Sequence, residues 1–116
     1  MSLRMYQRTQ TNTESPRQRE YRLFAIVTGK MLAVVRNGPG PANSELIAAI
    51  DHNRRLWNAL QTDCADDNNQ LGTPERAGII SLAIWVEKYS RQVVKGEGKL
   101  DLLVDVNRIV MEGLAA

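Results

Sequence analysis

Apolar side chains recur at helical spacing along four stretches of the chain, and strand punctuation is nearly absent. Ser15-Pro16-Arg17-Gln18 has the form of a capping box: a serine N-cap, a proline at the first helical position and a glutamine reaching back. The helix it predicts carries Tyr21, Phe24, Met31, Leu32 and Val35, and Asn37-Gly38-Pro39-Gly40 ends it. Gly29 inside it costs about 1 kcal/mol relative to alanine and allows a shallow bend. A second helix, capped by Asn43 or Ser44, has Leu46, Ala49, Ile50, Leu56, Trp57, Leu60 and Cys64 within an arc of about 120°.

Residues 65–72 read A-D-D-N-N-Q-L-G, turn chemistry without periodicity, and predict a surface loop. Thr73-Pro74 opens a third helix, running to about Lys95, with a stripe of Ile79, Leu82, Ala83, Val86, Tyr89 and Val93 and with Trp85 on its flank. Gly96-Glu97-Gly98 stops it. Asp101 is the expected N-cap of a last helix with Leu102, Leu103, Val106, Ile109 and Val110 on one side. Short connections favour antiparallel neighbours, so the expected fold is all-α, a compact bundle of about four helices.

At 116 residues, 43% of them hydrophobic, the chain supports one domain that needs no disulfide or structural metal. Met1 to Arg4, ahead of a second start-like Met5, has the look of an expression leader, leaving residues 5–116 as the domain. The longest apolar run, Gly78 to Val86, is nine residues, far short of the roughly 20 that span a bilayer, so no membrane partner is expected. With no secretory signal pattern, a cytoplasmic location is the expectation.

Chemistry-bearing residues are sparse. One cysteine and one histidine cannot build a four-ligand zinc site. On one helix Cys64 and His52 stand about 18 Å apart along the axis and about 120° apart around it, so they form no dyad. Asp66 and Asp67 fall in the turn-rich loop, while Asp101 and Asp105 are accounted for by capping and by an i,i+3 contact from Asp105 to Arg108. Gly38-Pro39-Gly40-Pro41 offers too few backbone N–H groups to cradle a phosphate. No enzyme activity, catalytic residue, cofactor or metal is therefore expected. Charge is uneven: residues 1–36 hold seven basic and two acidic side chains, the remainder eight and eleven. Arg4, Arg8, Arg17, Arg19 and Arg22 could attract phosphates, which keeps RNA as an alternative partner, but only Tyr6 and Tyr21 interleave with them.

Two features point to recognition. Asn53 falls near the middle of the second helix's apolar arc, one turn before Trp57, where an unpaired amide would cost roughly 1–3 kcal/mol. It must bond another helix, with Asn107 beside Arg108 the natural candidate, or a binding partner. In addition, Ile80 and Ile84 lie about 140–180° from the centre of the third helix's stripe, a second apolar face for a neighbouring helix or a partner. Val104 and Met111 form a weaker off-stripe pair on the last helix.

The segments Asn53-Arg54-Arg55-Leu56-Trp57-Asn58-Ala59-Leu60, Ile79-Ile80-Ser81-Leu82-Ala83-Ile84-Trp85-Val86 and Asp105-Val106-Asn107-Arg108-Ile109-Val110-Met111-Glu112-Gly113-Leu114, in this order and spacing, resemble the flagellar biosynthesis regulator FlaF family. The resemblance spans about Met5 to Leu114. It implies a cytoplasmic, non-enzymatic protein that promotes flagellin synthesis and export after transcription. Flagellin is the implied partner, in chaperone-like fashion, alongside a second regulator, FlbT; no catalytic residues carry over. For a helix-in-groove contact the expected anchors are Trp57, Ile80, Ile84 and Trp85, with Arg54 and Arg55 as rim charges.

Overall fold

A computed structural model describes residues 14–37 and 44–115. These form four helices and no strands: α1 (Pro16–Asn37), α2 (Ser44–Ala65), α3 (Thr73–Val94) and α4 (Leu100–Ala115). The expected terminator of α1, the Gly-Pro run and the Asn43 cap lie outside the described residues, as do residues 1–4.

Local chemistry sets the helix ends. The Ser15 hydroxyl accepts the Gln18 N–H (3.1 Å) while the Gln18 side chain accepts the Ser15 N–H (2.9 Å), the reciprocal capping box that satisfies two otherwise orphaned donors. No basic residue stands in the last turn of α2; instead Arg76, from the first turns of α3, reaches across to donate to the Cys64 carbonyl at 2.6 Å. In the loop between, the Asp66 and Asn69 side chains accept the Asn68 and Leu71 N–H groups. At the end of α3, Gly96 adopts φ +80°, the Gly96 N–H bonds Val93 and the Glu97 N–H bonds Gln92, a Schellman ending. Asp101 does not cap α4. The helix begins at Leu100, the Leu102 N–H bonds the Lys99 carbonyl, and Asp101 sits within the first turn.

Contacts between helices fix their directions. Phe24 meets Trp57 edge-on (centroids 5.5 Å) and Lys30 meets His52 (3.3 Å), so advancing along α1 means retreating along α2. Arg54 with Glu87 and Cys64 with Arg76 establish the same for α2 and α3. Thr28 bonds Asn107, and the start of α1 (Ser15, Tyr21) lies beside the end of α4 (Leu114), so α1 and α4 are antiparallel too. The bundle is therefore up-down-up-down. The α2–α3 and α1–α4 pairs pack most extensively, α1–α2 less so, and α3–α4, although consecutive, least.

The core comprises Phe24, Met31, Ala49, Ile50, Trp57, Ala83, Val86, Val93, Leu100, Leu103 and Val104. In α2 the buried positions match the apolar spacing; in α1 Phe24 and Met31 do, but Tyr21, expected to face inward, is 39% exposed and Val27 and Thr28 are buried instead; in α4 the match fails. Leu102 and Ile109, expected to face inward, are 41% and 66% exposed, whereas Val104, read as off-stripe, is 2% exposed and Met111 is half-buried. The reason is Asn107, which is fully buried: centring α4 on this amide turns the helix so that Leu103 and Val104 straddle it. Ser90 does the same to α3, bringing Ala83 and Val86 to the middle.

Candidate interaction site: a polar layer and an open seam

Among the described residues the buried polar side chains are Thr28, Asn53, Ser90 and Asn107, one from each helix. Thr28, Asn53 and Asn107 fall near the middle of their helices, whereas Ser90 lies about one turn before the end of α3. The Asn107 amide is the hub: its Nδ2 donates to Asn53 Oδ1 (2.8 Å) and Thr28 Oγ1 (3.1 Å), and its Oδ1 accepts the Trp57 indole N–H (2.9 Å). The sequence-expected bond from Asn53 to Asn107 is thus present, and it ties α1, α2 and α4 together. Helix α3 is left out. Ser90 Oγ has no partner, nor does Asn53 Nδ2.

The handedness of an α-helix then orients every flank. Residues advance clockwise at about 100° each when viewed from the N-terminus, so in a ring of alternating helices the flank toward each neighbour is determined. Lys30 on α1 faces α2, and Arg54 on α2 faces α3, as their partners require. The same rotation carries Tyr89 and Trp85, about 100° and 140° from Ser90, to the α4 side of α3, and Ile80 and Ile84, about 80° and 120° the other way, to the α2 side. On α4, Val106 and Leu102 fall about 100° and 140° from Asn107 on the flank toward α3, and Ile109, at about 160°, lies where that flank turns into the outer face. The thinly closed α3–α4 seam is therefore bordered by half-buried Trp85, Tyr89 and Val106 and exposed Leu102, with exposed Ile109 at its outer rim. Trp85 and Tyr89 stack at 4.9 Å with planes 10° apart. The Tyr89 hydroxyl accepts the Lys99 N–H (2.9 Å), and a Cβ at Gly98 would stand 3.1 Å from its ring, so glycine lets the turn approach this stack.

The nominated anchors do not form one patch. Trp57 is 1% exposed with its N–H spent on Asn107; it is a core residue and offers no surface to a partner. Ile80 is half-buried beside α2, and Ile84 is 44% exposed on that flank, opposite the flank carrying Trp85. Arg54 is not a free rim charge: it forms a two-pronged bond with Glu87, which Arg91 also joins. Those cations, Arg54 foremost, hold the Glu87 carboxyl below its usual range. Arg55 is exposed and pairs with Asp51 on its own helix at 3.0 Å. Arg108 is exposed, without the expected contact to Asp105 among the described residues. Leu102 and Ile109 are the seam residues that apolar periodicity concealed. The signal that reveals them is Asn107 itself: as the expected partner of Asn53 its amide must face inward, and that orientation turns Leu102 and Ile109 outward.

His52 lies against Lys30, and Cys64 is fully buried, its thiol pushed up chiefly by burial, so the fold does not bring the two together. Among the described residues no cluster of three metal-ligating side chains occurs, and no helix is long and apolar enough to cross a membrane. An open hollow of about 270 Å³ between α1 and α2 is lined by Lys30, Val34, Glu45, Ala48 and His52 among others.

Fold and site together define a small all-α bundle with buried polar side chains bonded across three helices and a thinly packed seam between α3 and α4. A family model described as Flagellar protein FlaF matches residues 2–114, nearly the whole chain, and the chain belongs to this family. No curated protein and no solved structure matches it.

Proposed function

We propose that this chain is a non-enzymatic cytoplasmic regulator that promotes flagellin synthesis and export post-transcriptionally, by holding an amphipathic helical segment of flagellin as a chaperone-like partner. The observation that carries this reading is the seam. Leu102 and Ile109 lie two turns apart on α4, exposed, Leu102 facing the side on which α3 presents Trp85 and Tyr89 and Ile109 at its outer rim. A helix laid there would cover side chains that the bundle leaves wet, at a gain of ~25 cal/mol per Å² of apolar area removed from water.

The test is a titration of purified protein with flagellin, with FlbT and with flagellin leader RNA, each at low and high salt. Binding to flagellin that holds or tightens with salt, and that is lost in Leu102→Glu/Ile109→Glu, supports the seam. Loss in Ile80→Glu/Ile84→Glu instead moves the groove to the α2 side of α3. Binding only to RNA, falling steeply with salt, replaces the reading with direct messenger recognition through the basic amino-terminal part. Binding only to FlbT makes the protein an adaptor.

A further inference from the structure

We propose that the bundle opens between α3 and α4, the α2–α3 and α1–α4 pairs parting about their α1–α2 contact, with Asn107 as the latch. Packing is concentrated within those two pairs and is thinnest between α3 and α4, so the seam is where least contact is lost. Within one pair, Arg54–Glu87 and Arg76 on the Cys64 carbonyl hold α3 to α2; within the other, Thr28 bonds Asn107. The buried hydrogen bonds that cross between pairs both end on Asn107, its Nδ2 to Asn53 and its Oδ1 from Trp57, while the exposed Lys30–His52 bond belongs to the α1–α2 contact about which the pairs part. No such bond reaches α3, whose member of the layer, Ser90, is buried and unpaired, as is Asn53 Nδ2. In the closed bundle both groups have forfeited water without recompense; in the opened one water satisfies them, which lowers the cost of this particular opening. Unlike the reading above, the inference concerns the free protein and needs no partner.

Thiol labelling of the full chain tests it. In a Cys64→Ala background, Ser90→Cys places a buried thiol on the α3 side of the layer and Thr28→Cys places one on the closed α1–α4 side. The expected result is that Ser90→Cys reacts with a disulfide reagent at least roughly tenfold faster than its urea-measured global unfolding allows, whereas Thr28→Cys reacts only through global unfolding. Adding Trp57→Phe, which removes one latch bond, should speed Ser90→Cys labelling about fivefold relative to Thr28→Cys. Ala83→Cys, also on the inner arc of α3, serves if Ser90→Cys does not fold. Equal labelling on both sides at the global-unfolding rate overturns the proposal, as does a latch variant that accelerates both sites alike.

Discussion

The two sides of α4 are built differently. Toward α1 it packs extensively, with Val104 buried and Asn107 bonded to Thr28; toward α3 it makes the thinnest contact in the bundle and leaves Leu102 and Ile109 in water. The closed side combines apolar burial with a satisfied polar group, while the other side has apolar residues without a cover. Hydrophobicity alone therefore does not decide which flank of a helix closes a core. A buried amide must find its partners, and the apolar residues take the positions that remain.

Substitutions that break this contrast differ in scale. The largest effect is expected at Trp57→Ala, which empties the space against Phe24 and strips Asn107 Oδ1 of its donor; a loss of about 3–5 kcal/mol in urea unfolding is expected. Trp57→Phe, keeping most of the volume, should cost less than half of that. Asn107→Ala follows, at roughly 2–3 kcal/mol, because it orphans Asn53, Thr28 and Trp57 together. Replacing the whole layer together with its indole donor, by Thr28→Val/Asn53→Leu/Trp57→Phe/Ser90→Ala/Asn107→Leu, should instead hold or raise the melting temperature, since no unpaired side-chain group of the layer is left behind. A lower melting temperature would mean that the layer contributes net stability.

Smaller effects sharpen the comparison. Acid titration should show a loss from Glu87: its folded carboxyl, held by Arg54 and Arg91, titrates below the unfolded one. Its contribution is thus fully present above the ordinary carboxylate range and fades as pH falls through the lower folded value. In Glu87→Gln that part of the acid limb should disappear. Least of all, Leu102→Glu/Ile109→Glu should shift stability by no more than about 0.5 kcal/mol per site, because exposed positions carry little packing. Val104→Ala on the closed side, by contrast, should cost roughly 2 kcal/mol.

Much of the architecture was legible in the chain. The capping box at Ser15, the arc of α2 with Asn53 at its middle, the loop of residues 65–72 and the stop at Gly96 are local chemistry, and local chemistry is written in consecutive residues. Trp57 reads from sequence as a surface anchor, yet it fills the core, because an indole on an amphipathic helix looks the same in sequence whether it packs inside or meets a partner. That Arg54 is tied to an ion pair is not visible in sequence, because its partner, Glu87, lies 33 residues away on another helix.

The sequence by itself determined four helices, their approximate ends, the inward face of α2, and membership of the FlaF family. Only the tertiary structure decided how α3 and α4 are turned. On those helices apolar residues occupy more than one face, so periodicity admits several rotations of similar burial, and the choice falls to buried polar groups. The Asn107 amide reaches Thr28, Asn53 and Trp57 in one rotation, which leaves Leu102 and Ile109 outside. Hydrogen bonds have direction and hydrophobic burial has almost none, which is why three bonds to one side chain settle what the apolar positions of α4 left open.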